Sequence, residues 1–342
     1  MHMASSIANA DPAAAPAERA VDLHAAAAPR GGGVASLIAA VEALRPYQWA
    51  KNLLLFLPLL LKHEWRDPQK LGLVSLAFIA FSLAASSAYV LNDLHDLDAD
   101  RHHPKKRNRP FASGRLSGRA GAMIALAALL VAFGLSIPLL PPKFTAMLGL
   151  YVVLTLAYSF YLKQRLLIDV FLLAGLYTHR VLAGGAAISV TVTPWLLAFC
   201  IFFFLSLAFA KRYAELRRVQ VSEGGTGTTQ VRGRAYQVED MEVVATVGPT
   251  SGYMAVLVFA LYVNSEMAMK LYSRPFLLWL VCPLLLYWQT RVWFVARRGG
   301  LSEDPLLYAM KDKISLMVAG LTALLVLMAT GWPRWIDRFL LP

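Results

Sequence analysis

Nine mostly apolar blocks, each about twenty residues long, divide this chain. They run over Tyr47 to Leu61, Leu71 to Leu91, Ala120 to Leu140, Phe144 to Leu162, Leu166 to Ile188, Pro194 to Ala210, Val243 to Asn264, Pro275 to Trp293 and Ile314 to Trp332. A helix rising about 1.5 Å per residue crosses the roughly 30 Å hydrocarbon core of a bilayer in about twenty residues. The blocks therefore predict an all-α integral membrane protein, a nine-transmembrane-helix bundle. The first block is the shortest and contains Pro58. Of the 342 residues 58% are hydrophobic and 16% charged, too apolar a balance for a soluble domain. An outer-membrane barrel is excluded as well, because its strands alternate apolar and polar positions.

The connections carry the charge unevenly. Those after the second, fourth, sixth and eighth blocks hold seven, two, six and, with Arg291 at the end of the eighth block included, five Lys and Arg; those after the first, third, fifth and seventh hold three, one, none and two. Short cytoplasmic connections collect the excess of basic residues, so the alternation predicts a cytoplasmic N-terminus and an outside C-terminus in a bacterial-type inner membrane. The net charge of +12 reports this topology rather than a nucleic-acid surface. Residues 1–36 are rich in Ala, Pro and Gly and read as a disordered tail ahead of a single catalytic membrane domain over 37–342. Cys200 and Cys282 lie inside apolar blocks with no CxxC or His-spaced pattern, which leaves neither a zinc site nor a disulfide framework to expect. The Gly-rich run from Glu223 to Thr229 lacks the order of a P-loop and reads as a flexible connection. Trp49, Trp65, Trp195 and Trp332, near block ends, read as interface anchors.

The string Leu91-Asn92-Asp93-Leu94-His95-Asp96-Leu97-Asp98-Ala99-Asp100-Arg101 stands at the cytoplasmic end of the second block. Continued as one helix, it places Asp93, Asp96 and Asp100 within about 60° of one another, with Asn92 alongside and Asp98 on the far side. Three carboxylates on one face repel and call for a cation. Oxygen ligands without Cys favour Mg²⁺ or Mn²⁺, and Mg²⁺ is commonly held by a few carboxylates, water and substrate phosphates. A solvated acidic helix end is the plainer reading. Against it, Asn92 and Asp93 adjoin the apolar block, where ionisable groups are costly and gather round functional cavities. Downstream, with the helix stopped by Pro104, come Lys105, Lys106, Arg107 and Arg109. These bind phosphate oxygens, or serve only as a positive-inside anchor. Metal-holding carboxylates beside phosphate-holding cations point to a diphosphate-bearing substrate reached from the cytoplasm.

Asn92-Asp93-x-x-Asp96-x-x-x-Asp100 resembles the first aspartate-rich motif of the UbiA superfamily of intramembrane prenyltransferases, and nine helices resemble that family's fold. The longer string from Asn92 to Gly114, closing with His103-Pro104-x-Lys106-x-x-Arg109-Pro110-x-Ala112-x-Gly114, is similar to the decaprenyl-phosphate phosphoribosyltransferase branch. So are Arg45-Pro-x-Gln48-Trp49-x-Lys51-Asn52, Tyr158-x-x-x-Leu162-Lys163, Lys211-Arg212-Tyr213-Ala214-Glu215 and the stretch Asp304 to Tyr308. The superfamily's second motif, Asp-x-x-x-Asp, is half absent: Asp169 is followed four residues later by Leu173. That departure agrees with the branch, in which the diphosphate belongs to 5-phosphoribosyl 1-diphosphate (PRPP) and the isoprenoid is the acceptor phosphate.

The resemblance implies Mg²⁺-dependent transfer of 5-phosphoribosyl from PRPP to a polyprenyl phosphate, with release of diphosphate. It implies Asp93, Asp96 and Asp100 as catalytic carboxylates that hold the metal with Asn92, and Gln48, Lys51, Lys106, Arg109, Tyr158, Lys163, Asp169, Lys211 and Arg212 as substrate-binding residues. The lipid phosphate is an anion near neutral pH, so the task is alignment with the anomeric carbon and stabilisation of the leaving diphosphate. Plainer roles compete at several positions: an intrahelical pair for Lys211 with Glu215, a helix cap for Asp304, and for Arg180, deep in the fifth block, a structural ion pair as readily as a substrate contact. Two other functions fit less well. A prenyltransferase acting on an aromatic acceptor calls for the second motif entire. A transporter of phosphorylated lipid or anion calls for polar breaks near the bilayer midplane, whereas these charges gather at one end.

Overall fold

The computed structural model describes residues 33–102, 106–222, 231, 233–301 and 304–331. Residues 1–32 of the expected tail, His103 to Lys105, the run Glu223 to Thr229 and Trp332 lie outside the described residues. Gly33 to Ser36, read from the sequence as tail, form the first turn of helix α1 (Gly33–Leu44). A 3₁₀ helix over Pro46–Phe56 and the short α2 (Leu57–Leu61) follow. Then come α3 (Pro68–His95), α4 (Leu97–Arg101), α5 (Gly118–Leu139), α6 (Pro142–Phe160), α7 (Ile168–Ala187), α8 (Pro194–Ser222) and α9 (Met241–Val263). The chain closes through α10 (Glu266–Leu271), α11 (Val281–Arg297), α12 (Pro305–Lys311) and α13 (Lys313–Thr330).

Eight of these helical stretches are long and apolar enough to cross a membrane, the eighth-block span being Pro275–Arg297. The first expected block differs. Its eleven 3₁₀ residues rise about 2 Å each and the five α residues about 1.5 Å each, so sixteen residues reach about 30 Å where sixteen α residues would reach about 24 Å.

Helix starts follow local chemistry. Asp67 caps α3 by accepting from Gln69 N and Lys70 N, with Pro68 in the first turn. Ser117 caps α5 and Asp312 caps α13 in the same way. Side chains such as Leu126, Val153, Leu257 and Phe294 remain exposed and apolar, as lipid-facing helix surfaces require.

α7 is the common wall of the bundle. Leu176, Ala183 and Ala187 pack into one core with residues of α3, α6 and the 3₁₀ helix, while Val170, Tyr177 and Val181 pack into a second core with α8 and α11. Glycine lets the 3₁₀ helix lie directly against α7. A Cβ on Gly184 would stand 2.0 Å from the Leu55 carbonyl oxygen, and one on Gly185 2.7 Å from that of Val190. Because backbone cannot move aside as a side-chain tip can, Gly184→Ala is expected to lower stability by about 1–3 kcal/mol or more. Gly149→Ala, with open space round its Cβ, should stay within about 0.5 kcal/mol. Thermal unfolding of the two variants in detergent measures the difference.

Candidate active site

The acidic string does not continue as one helix. α3 ends at His95, Asp96 leaves helical geometry as its C-cap, and the five-residue α4 restarts at Leu97. The break divides the three carboxylates. Asp93 and Asp100 converge on one atom, Arg109 Nη1, at 3.0 and 2.6 Å. Asp93 also accepts from Arg45 Nη2 at 2.6 and 2.7 Å, and Lys106 Nζ lies 3.8 Å from Asp100. Asp96 instead accepts from Lys163 Nζ at 3.1 and 3.2 Å and from Asn92 Nδ2 at 3.1 Å. Asp98 faces outward and pairs with Arg101, as expected from the helical step.

The expected single face of three acids is therefore not formed, and among the described residues no three His, Cys, Asp or Glu side chains converge as metal ligands. Two carboxylates gathered on one cationic nitrogen nevertheless fit a divalent ion completed by water and phosphate oxygens, which is how Mg²⁺ is commonly held. Asp93 and Asp100 make that donor pair; Asp96 and Asn92 stand apart from it.

Arg45 reaches Asp93 because it adopts the left-handed conformation, φ 52 and ψ 58, at the turn from α1 into the 3₁₀ helix. Such a conformation costs a non-glycine residue about 1 kcal/mol or more. The resemblance motif contained Arg45, but nothing in the sequence brought it to an acid 48 positions away.

A second polar cluster lies deeper, centred on Asp304. Its carboxylate accepts from Lys51 Nζ at 3.0 Å and from the Tyr177 hydroxyl at 2.7 Å to each oxygen, with Lys211 Nζ at 3.6 Å. It also caps α12 by accepting from Leu306 N, so the cap read from the sequence is real and incomplete. Burial alone would raise the Asp304 carboxyl; Lys51, Lys211 and the Tyr177 hydroxyl carry it the other way, well below the usual carboxylate range. Lys211 thus serves Asp304, and the pair with Glu215 is made by Arg212.

Two of the expected substrate ligands are paired with each other. Asp169 and Arg212 are fully buried against each other, and Arg212 is held from its other side by Glu215. Arg234 stands 3.8 Å from Asp169 and donates to the Tyr158 hydroxyl and the Lys163 carbonyl. These contacts lock α7 to α8 and to the chain after it. Gln48 is half-buried, with its Oε1 buried and unpartnered. Arg180 has no carboxylate partner among the described residues. Its Nε donates to Asn52 Oδ1, Nη1 to the Leu176 carbonyl and Nη2 to the Tyr151 hydroxyl.

Carboxylates and cations collected at one end of an all-helical, multi-pass bundle define an intramembrane transferase. The chain belongs to the UbiA prenyltransferase family, whose model matches residues 53–311. Nodulation protein NoeC of Azorhizobium caulinodans is 37% identical over 81% of this chain and 88% of its own length. An uncharacterised protein of Sinorhizobium fredii is 36% identical over 84% of this chain, which spans 55% of that longer protein. Decaprenyl-phosphate phosphoribosyltransferase of Mycolicibacterium smegmatis is 35% identical over 56% of this chain and 61% of its own. In fold, a UbiA homolog from Archaeoglobus fulgidus bound to GPP and Mg²⁺ superposes with a TM-score of 0.62 at 15% identity, covering 86% of this chain and all of that one.

Arg212→Met leaves the Asp169 carboxylate buried without its partner and should destabilise by about 3–5 kcal/mol. Lys106→Met, at a half-exposed pair, should cost less than about 1 kcal/mol. The depressed Asp304 carboxyl sets a pH dependence. Its stabilisation is complete above the ordinary carboxylate value of about 3.9 and is lost as pH falls through the lower folded value. Melting temperature in detergent should therefore drop on acidification below about pH 4, and Asp304→Asn should flatten that limb.

Proposed function

We propose that the protein transfers the 5-phosphoribosyl group from PRPP to a polyprenyl phosphate, breaking the bond from the anomeric carbon to diphosphate and forming one to a lipid phosphate oxygen. The observation that carries this reading is the asymmetry of the two acidic sites. Asp93 and Asp100 face one cationic position, while Asp169, all that remains of a second motif, is sealed against Arg212. One diphosphate-binding acidic pair suits a small sugar diphosphate, and the kinship with decaprenyl-phosphate phosphoribosyltransferases over about half the chain supports the same donor and acceptor.

Asp93 and Asp100 would hold Mg²⁺, which supplies charge neutralisation to the departing diphosphate. Mg²⁺ bound to the Archaeoglobus homolog supports the ion, and Mn²⁺ meets the same donor chemistry. Arg109, Lys106 and Lys163, now paired with acids, exchange those partners for phosphate oxygens. Arg45 orients Asp93 through its two hydrogen bonds. The acceptor phosphate already carries negative charge, so no side chain has to remove a proton from it. Taken as a crossing, the 3₁₀ helix with α2 brings the count to nine, which puts the termini on opposite faces. The excess of Lys and Arg supports a cytoplasmic N-terminus and aspartate end in a bacterial inner membrane. The span 37–342 acts as one catalytic domain.

Purified protein incubated with radiolabelled PRPP and polyprenyl phosphate should yield labelled lipid only with Mg²⁺. Asp93→Ala should reduce the rate by at least about a hundredfold while eluting as the folded protein in detergent. Label transferred instead from a prenyl diphosphate to an aromatic acid would replace this reading with the prenyltransferase one.

A further inference from the structure

The first helix carries more apolar surface than its packing uses. α1 has twelve residues and is about 18 Å long, too short to cross the roughly 30 Å apolar core of a bilayer. At about 100° per residue its side chains divide into three faces. Ala39 and Ala43 form the first, buried in one cluster with Val90 of α3, Ala125 of α5, and Phe111 and Leu116 from the chain between α4 and α5. Ala35 and Glu42 form the second, where the Glu42 carboxylate accepts from both Nη atoms of Arg115 at 2.7 and 3.0 Å. Val34, Leu37, Ile38 and Val41 form the third, an arc of about 100°. Each of these four is between 49% and 74% exposed.

Four large apolar side chains left in water by a helix that buries two alanines is an unfavourable balance. α1 stands where lipid can redress it. α5 is long and apolar enough to cross a membrane, and its Ile124 and Ala125 meet the α1 cluster six and seven residues, or about 10 Å, from its first residue. Met123 and Leu126, on either side of that pair in the chain, are exposed apolar residues of α5, and Arg119 one turn earlier is exposed and charged. The contact therefore lies at the edge of the apolar layer, the level at which an interfacial helix settles with one face about 5–10 Å into the lipid. Glu42, the only charged residue of α1, is on a different face from the stripe.

The helix ends on the acidic site. The Leu44 carbonyl accepts from Ser86 Oγ at 2.7 Å, and the next residue, Arg45, turns left-handed and reaches Asp93. Ser86 and Asp93 stand seven residues, about two turns, apart on α3. Consecutive residues at the end of α1 are thus fastened to two levels of one membrane helix.

We propose that α1 is a membrane-surface helix: Val34, Leu37, Ile38 and Val41 enter the lipid layer at the aspartate end, and the bilayer thereby steadies the turn that carries Arg45 to Asp93. The partner is the acyl-chain boundary of the lipid and not its head-group charge, because α1 contains no Lys or Arg. Arg45 is here a positioning residue, coupled to the lipid through the backbone from Glu42 to Gln48.

Fluorescence quenching of the full chain in phosphatidylcholine vesicles tests the seating. A bimane label is placed on Leu37→Cys or on Ala35→Cys, with the partly exposed Cys282 replaced by Ala and the buried Cys200 retained. The label at Leu37 should be quenched by lipid with brominated acyl chains and shielded from iodide; the label at Ala35 should show the reverse. Vesicles of phosphatidylglycerol should give the same pattern. Hydrogen exchange in the same vesicles tests the coupling. Leu37→Asp should speed amide exchange from Glu42 to Gln48 by at least about tenfold and leave α6 unchanged, whereas Ala35→Asp should change neither. Should Leu37→Asp fail to fold, Val34→Asp, at the far end of the stripe from Arg45, carries the same comparison. Neither measurement uses a substrate, so each stands apart from the phosphoribosyl-transfer reading.

Iodide reaching the label at Leu37 would overturn the proposal. Shielding of that label from iodide and brominated lipid alike would overturn it too, assigning the stripe to a second copy of this chain or to residues 1–32. Unchanged exchange from Glu42 to Gln48 in a folded Leu37→Asp would overturn the link from lipid to Arg45.

Discussion

Charge buried among apolar helices has to find opposite charge or strong dipoles, and this requirement organises the bundle. Asp304 is the clearest instance. A single carboxylate gathers a lysine from the 3₁₀ helix, a hydroxyl from α7 and a lysine from α8, residues separated by up to 253 positions. Asp169 does the same for α7 and α8 through Arg212. Removing water makes each such contact strong when complete and costly when incomplete, so helices whose outer surfaces are uniformly apolar still acquire a definite register.

Packing supplies the other half of that register. Greasy helices have no preferred face against lipid, and close approach depends on small residues. Gly184 and Gly185 admit the 3₁₀ helix and the turn after α7, and Gly248 admits the ring of Trp293. The resulting placement sets Lys51 and Asn52 deep beside α7, where Lys51 meets Asp304 and Asn52 meets Arg180. Tight backbone contact and buried ion pairing are thus one device: the glycines bring the elements near enough for short polar side chains to meet.

The two acidic remnants show how motif and structure diverge. Asp93 and Asp100 have partners, Arg45, Arg109 and Lys106, that are only partly buried. Asp169 lies in a similar string position to an acid of a metal motif, and it is paired with a fully buried guanidinium. Net charge alone does not distinguish the two; accessibility of the counter-ion does.

Much of this protein was legible in its residues taken in order. Apolar blocks of bilayer length, proline and acid caps and basic connections specify membrane helices, because each depends on hydrogen bonds and hydration within one segment. The string from Asn92 to Arg109 likewise announced a cluster of acids and bases, and Lys163 meets its Asp96, whereas Lys51 and Lys211 meet Asp304. Tertiary structure decided the rest. The helix breaks at Asp96, whose carboxylate meets Lys163 and Asn92 while Asp93 and Asp100 meet Arg109. Arg212 proved to be sealed inside the bundle, Asp304 proved to be more than a cap, and Arg180 proved to lie among neutral partners. Each of these depends on which groups from distant segments come within about 3 Å of one another, and the order of residues along a chain carries the charges without stating which of them will meet.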